Sequence, residues 1–118
     1  MEKPQKIKAS LQYILQIGYN HCMKQKEVLE VLQSYKQHHA DEFGIIRIGI
    51  FGSVARDEAT QESDVDVVIE TKHPNLFKLS RIRLDLEELM HTHVDLISYR
   101  ESMNTFLKER IQKEAIYA

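Results

Sequence analysis

Residues 49–70 read GIFGSVARDEATQESDVDVVIE, and the changes of hydrophobic pattern in and around this stretch decide the fold. Leading into it, Ile46, Ile48 and Ile50 alternate with Arg47, Gly49 and Phe51 in a β-rich run that opens at Ile45 and stops at Gly52-Ser53. Past Asp66 the chain turns continuously apolar through Val67, Val68 and Ile69. That run reads as a strand over 65–70, buried on both faces.

Outward from these strands the period becomes helical. Leu76, Leu79, Ile82, Leu86 and Leu89 recur at three and four residues after Pro74, which predicts a helix from about Asn75 to Met90. A third short strand is expected over 94–98. A last helix follows from about Ser102, as its N-cap, to Tyr117, with Met103, Phe106, Leu107 and Ile111 facing inward. Upstream, Val28, Val31, Leu32 and Tyr35 form one stripe of a helix from Lys24 to about His39. A weaker amphipathic pattern covers residues 4–18, closed by Gly18 and Asn20. The order helix, helix, strand, loop, strand, helix, strand, helix predicts an α/β (α+β) domain, a small mixed sheet covered by helices. No G-x-G-x-x-G opens a helix, so a doubly wound dinucleotide fold is excluded. The compact domain is expected to be 23–118, with residues 1–22 an N-terminal extension.

Composition narrows the function. A chain of 118 residues with 42% hydrophobic positions is long enough for one self-sufficient core. Sixteen basic against 18 acidic residues leave a net charge of −2, which lacks the basic excess of a nucleic-acid binder, so no direct nucleic-acid contact is expected. A lone Cys22 cannot pair within the chain. No apolar run nears the roughly 20 residues of a membrane span. Gln12, Tyr13 and Gln16 interrupt the segment after Lys3, Lys6 and Lys8, so there is no signal-peptide core. The expected setting is cytoplasmic, away from membranes.

Three features carry chemistry. Gly52-Ser53 directly after a strand allows a ligand close to the backbone, with N–H groups aimed at an anion. Arg56 adds a guanidinium fork suited to phosphate oxygens. An ordinary capped strand-to-helix turn would read the same. Asp64 and Asp66 bracket Val65, so in a strand their carboxylates share a face about 7 Å apart at Cα. Six carboxylates and no Lys or Arg lie between Asp57 and Glu70. Like charges at the mouth of a buried strand are costly without a cation, and Mg²⁺ favours carboxylates together with substrate phosphate oxygens. A solvated acidic strand end is the plainer alternative. Asp95 is a lone acid in the apolar run His93-Val94-Asp95-Leu96-Ile97. Set beside the 65–70 strand it would complete a three-carboxylate cluster able to hold two metals about 4 Å apart. Bonded to Arg100 or solvent it would mean nothing. The pairs His38-His39 and His91/His93 read as solvated helix-end and strand-start residues rather than zinc ligands, and Lys108, Arg110 and Lys113 as a solvated helix face, with an acidic partner as the alternative.

Jointly, a strand, Gly52-Ser53, ten intervening residues and Asp64-x-Asp66 on a second strand, with Asp95 downstream, resemble the nucleotidyltransferase superfamily of the DNA polymerase β type. The extended pattern with Ala55-Arg56 and Ser63 is similar to its minimal nucleotidyltransferases, the MNT proteins, from Met23 to the C-terminus. That resemblance implies a polymerase β-like fold in which Gly52 and Ser53 hold the β- and γ-phosphates of a nucleoside triphosphate. Asp64 and Asp66 would ligate two Mg²⁺ ions. Asp95 would complete the second site and help deprotonate the acceptor hydroxyl. Arg56 and Ser63 match positions that contact phosphate.

The implied reaction moves AMP from ATP to a hydroxyl with release of pyrophosphate. Little chain remains after the third strand to build an acceptor pocket, which favours an open cleft presented to a macromolecule. In the family resembled, many members are paired with a HEPN-domain ribonuclease toxin and act as antitoxins by adenylylating a tyrosine of it, and the resemblance implies that role here. Two other readings stay open. One is the same chemistry on a small molecule such as an aminoglycoside, its pocket completed by an oligomer or partner. The other is a non-catalytic antitoxin that acts by docking.

Overall fold

A computed structural model describes residues 23–60 and 62–118 of the chain. The expected helix over residues 4–18, its stop at Gly18 and Asn20, and Cys22 lie outside the described residues.

The first described helix, α1 (Gln25–Phe43), starts where Lys24 takes an extended conformation and its N–H donates to the Glu27 carboxylate, 3.0 Å away. Val28, Val31, Leu32 and Tyr35 are buried along its inner stripe. The helix runs four residues beyond the expected end at His39. Phe43 is buried against the rings of Tyr35 and His39, and the stop is Gly44, whose φ of +64° closes the last turn with an N–H to Ala40 O.

Strand β1 (Ile45–Phe51) leads into a one-turn helix, α2 (Gly52–Ala55), within the stretch expected to be loop. Strand β2 (Val65–Thr71), helix α3 (Leu76–Met90), strand β3 (Val94–Ser98), helix α4 (Thr105–Glu114) and the two-residue strand β4 (Ile116–Tyr117) complete the described chain. The sheet order is β3-β2-β1-β4. β1 is antiparallel to β2 and to β4, while β2 and β3 are parallel, so the sheet is mixed as expected.

Side chains alternate across this sheet into two cores. Ile48, Ile50, Val67 and Ile69 meet α1 and α3 through Val28, Leu32, Tyr35, Ile82 and Leu86. Phe51 and Val68 meet Ile111 of α4 together with Tyr99 on the opposite face. β2 is thus buried from both sides, which is why its sequence loses alternation after Asp66.

The C-terminal segment departs from expectation in three ways. Ser102 is not the cap. Asn104 caps α4 instead, its Oδ1 accepting the Leu107 N–H at 3.2 Å, since its amide oxygen reaches a first-turn donor from just outside the helix. Phe106 does not face inward. With the helix phased by Asn104, Met103, Leu107 and Ile111 share the inner stripe at four-residue spacing, and Phe106 is 87% exposed. The helix also ends at Glu114 rather than Tyr117. Ala115 turns extended, and Ile116 and Tyr117 pair with Ile50 and Gly49 on the open edge of β1. At the start of α3, Asn75 is the cap, its Oδ1 accepting the N–H groups of Phe77 and Lys78, and Leu76 stays exposed beyond the sheet. Among the described residues, no helix is long and apolar enough to cross a membrane.

Candidate active site

The site forms where β1 ends and β2 and β3 begin, on the face covered by α4. Register assembles it. Phe51 pairs with Asp66 across β1 and β2, and Asp66 pairs with Asp95 across β2 and β3. Asp66 lies two residues before Val68, and Asp95 two before Ile97, both of which pack on the α4 side. Strand periodicity therefore puts the two carboxylates on one face. Asp64 is exposed immediately before β2, and Asp95 is exposed on the edge strand. Asp66 is half-buried between them.

Electrostatics follow from that placement. Burial, then the charge of Asp95, then that of Asp64, push the Asp66 carboxyl above its ordinary range, against the opposing pull of Arg110 and, more weakly, Arg56. A half-buried acid crowded by two others fits a divalent cation, which would relieve the repulsion. Among the described residues, no three His, Cys, Asp or Glu side chains are grouped closely enough to hold an ion by themselves, so the expected three-carboxylate cluster is not closed in this conformation. The donor set fits Mg²⁺ in its usual form, in which carboxylates supply part of the shell and water and substrate phosphate supply the rest. Three histidines have partners away from the site: His38 bonds Ser34 O, His39 pairs with Glu42, and His93 pairs with Glu87.

The turn after β1 lies against this carboxylate. Gly52 has a φ of +73°, and an L-side chain there would run into Asp66 Oδ2. The turn is closed by backbone bonds from Arg56 N to Gly52 O at 3.0 Å and from Glu58 N to Ser53 O at 2.8 Å. Gln25 of α1 braces it by donating to Ala55 O.

The two less central residues of the pattern are placed differently. Arg56 leaves the turn toward carboxylates, with Nε on Glu58 at 2.6 Å and Nη1 on Glu114 at 3.0 Å. Ser63 folds back on its own loop, its Oγ accepting the Thr60 N–H at 2.9 Å. In this conformation Ser63 is bonded to Thr60 just ahead of Asp64.

Two residues at the site were not anticipated from sequence. Arg110 and Glu114 of α4 meet at 3.4 Å, and the Arg110 guanidinium lies 5.8 Å from the centre of the Phe51 ring. Glu114 also accepts the Gly52 N–H at 3.2 Å. Burial alone would raise the Glu114 carboxyl, but the Gly52 N–H and the charges of Arg56 and Arg110 outweigh it and hold it below the usual carboxylate range. The only sequence signal was spacing, since 107, 110, 111 and 114 share one side of a helix.

Comparison with known proteins agrees with this geometry. A family model described as the nucleotidyltransferase domain matches residues 24–118. A protein of Methanocaldococcus jannaschii named as a candidate protein adenylyltransferase is 35% identical over 92 residues, spanning 77% of this chain and 94% of that one. The protein adenylyltransferase MntA of Thermococcus cleftensis is 31% identical over 93 residues, spanning 78% and 93%. A solved structure described as a candidate minimal nucleotidyltransferase superposes with a TM-score of 0.64 at 32% identity, over 80% of this chain and 95% of the other. A chain of the solved complex of tri-AMPylated Shewanella oneidensis HEPN toxin with MNT antitoxin gives a TM-score of 0.57 at 17% identity, over 79% and 70%, a likeness of fold alone. The chain belongs to the nucleotidyltransferase domain family, as one of its minimal members, and is an enzyme of that class.

Proposed function

We propose that this chain transfers AMP from ATP to a tyrosine hydroxyl of a HEPN-domain toxin and so acts as its antitoxin. One observation carries the chemistry: register sets Asp66 beside Asp95, with the Gly52 turn packed on the same carboxylate. The acceptor class is inferred from relatives more than 30% identical over nearly their whole length that are named protein adenylyltransferases.

In this reading, Gly52 and Ser53 bind the β- and γ-phosphates, and the glycine lets them approach the backbone. Asp64 and Asp66 would hold two Mg²⁺ ions, with Asp95 completing the second site. When bound, the ions neutralise charge on the attacking and leaving oxygens. The tyrosine oxygen attacks the α-phosphorus, forming the new P–O bond as the bond to the bridging oxygen of the β-phosphate breaks. Pyrophosphate leaves with that electron pair, and the tyrosine proton passes to the Asp95 carboxylate and then to water. Asp95 can serve because it is exposed on the edge strand, where an acceptor hydroxyl can reach it.

The test is incubation with α-labelled ATP and Mg²⁺, with and without a candidate HEPN-domain partner protein, using Asp66→Asn as control. Label on a tyrosine of that protein, absent with the variant, is the expected result. Label only in the small-molecule fraction would move the acceptor to a metabolite or drug. No label at all, with wild type and variant neutralising the toxin equally, would replace transfer by docking.

A further inference from the structure

The donors of the glycine turn already hold an anion, supplied by the chain itself. Gly52 N–H reaches Glu114 Oε2 at 3.2 Å, Arg56 Nη1 reaches Oε1 at 3.0 Å and Arg110 Nε reaches Oε2 at 3.4 Å. A carboxylate and a phosphate offer N–H and guanidinium donors the same paired oxygens. The backbone around Glu114 is anchored by the rest of α4 before it and by β4 after it, and Ala118 N–H bonds Ile48 O at 2.8 Å. Only the Glu114 side chain has to move for the donors to be released.

We propose that the Glu114 carboxylate occupies the seat of a nucleotide phosphate, and that Arg110, which lies outside the sequence pattern, is a triphosphate-binding residue alongside Arg56. The inference rests on the nucleotidyltransferase reading of the site and adds to it a third cationic or polar donor and an internal competitor. Glu114 keeps two guanidinium groups neutralised beside the carboxylates while the site awaits substrate. A triphosphate brings more negative charge to the same donors than one carboxylate does, so it displaces Glu114. AMP, with one phosphate, competes less well. The internal carboxylate therefore discriminates in favour of the substrate over adenylate.

Calorimetric titration of the full chain with a non-hydrolysable ATP analogue and with AMP, in Mg²⁺ buffer, tests this. Glu114→Gln removes the competing charge and should bind the analogue about fivefold tighter, with a smaller gain for AMP. Arg110→Gln should bind the analogue about tenfold more weakly. Glu114→Asp keeps the charge but shortens the arm, and should also bind more tightly. It serves as the test if the Gln variant does not fold. Unchanged or weaker binding by folded Glu114 variants would make Glu114 a brace for Arg56 and overturn the inference, as would unchanged binding by Arg110→Gln. If the wild-type chain bound no analogue, the nucleotide reading itself would fail, a result distinct from wild-type binding that the substitutions leave unmoved.

Discussion

The space a side chain would need at Gly52 is filled by the carboxylate of Asp66. A Cβ built on Gly52 would overlap Oδ2 and stand 3.1 Å from Cγ. The glycine is thus the partner surface against which the central carboxylate rests, as well as a flexible joint at φ +73°. Gly52→Ala is expected to cost about 1–3 kcal/mol of stability from strain and overlap. It should lower nucleotidyl transfer at least about 100-fold, because Asp66 must shift. Gly44→Ala is the control. It shares a positive φ of 64°, but its Cβ would meet only Lys72 at an ordinary 3.6 Å. That variant should lose stability by about 1 kcal/mol and keep its transfer rate. Denaturant melts and initial rates on the two variants separate strain from site geometry.

Asp66 should cost the fold stability at neutral pH. Its carboxyl is raised in the folded chain by burial and by Asp95 and Asp64, so the fold favours the protonated form. The folded chain holds this proton longer than the unfolded one. Stability is therefore greatest below the ordinary Asp range, falls as pH rises through the window up to the raised value, and stays reduced above it. Asp66→Asn removes the penalty. Its Tm at pH 7 should exceed wild type by about 2–5 °C. The gap should close below about pH 3.5, near the unperturbed carboxyl value. Transfer by this variant should be lost. Thermal melts of both proteins from pH 3 to 8 supply the comparison, and a variant less stable than wild type at pH 7 would contradict it.

Tyr35 ties α1 to α3 on the face of the sheet opposite the site. Its hydroxyl donates to Asp85 Oδ2 at 2.7 Å, and Asp85 is also held by Arg81 at 3.3 Å. Burial first, then the bond to Asp85, raise the phenol well above its usual value, so it is the donor at any working pH. Tyr35→Phe keeps the ring stack with Phe43 and removes only this bond. It should cost about 1.5–3 kcal/mol, the range for a bond to a charged acceptor. In urea the midpoint should fall with an unchanged m-value, and transfer should hold at its wild-type rate.

The elements legible in the sequence were those that bury a repeating pattern. β2 announced itself because both faces are covered, and α3 because Ile82 and Leu86 sit on one buried stripe. The meeting of Asp66 with Asp95 was legible because acids bordering apolar strands have few structural uses. The glycine turn was legible as a position, but the one-turn α2 inside it was not, since four residues carry no period. Most of what was missed belongs to the C-terminal segment. Asn104 outranks Ser102 as a cap through a bond that only the folded turn shows. Ile116 and Tyr117 looked like the continuation of a helix because two residues are too few to display alternation. Arg110 looked like part of a solvated face and Glu114 carried no signal, since Phe51, Gly52 and Arg56, which they meet, lie more than 50 residues earlier in the chain.

Gly49 governs that C-terminal segment. It pairs with Tyr117 across β1 and β4, and a Cβ there would overlap Ile116 O and stand 2.9 Å from both Cα and Cδ1 of Tyr117. β4 can approach only because β1 has no side chain at this point. Beside it, Arg47 lies 4.4 Å from the Tyr117 ring centre and 5.1 Å from that of Tyr99, with its Nε on Glu70 at 2.8 Å. Gly49→Ala should therefore detach residues 116–118 and leave Arg47 with one aromatic neighbour. In hydrogen exchange the Ala118 amide, bonded to Ile48 O in wild type, should lose its protection while amides of β2 keep theirs. Deleting residues 116–118 should destabilise wild type by about 1–2 kcal/mol and Gly49→Ala by almost nothing, since the two changes remove the same contacts. Additive losses would mean that β4 finds another seat on the edge of β1.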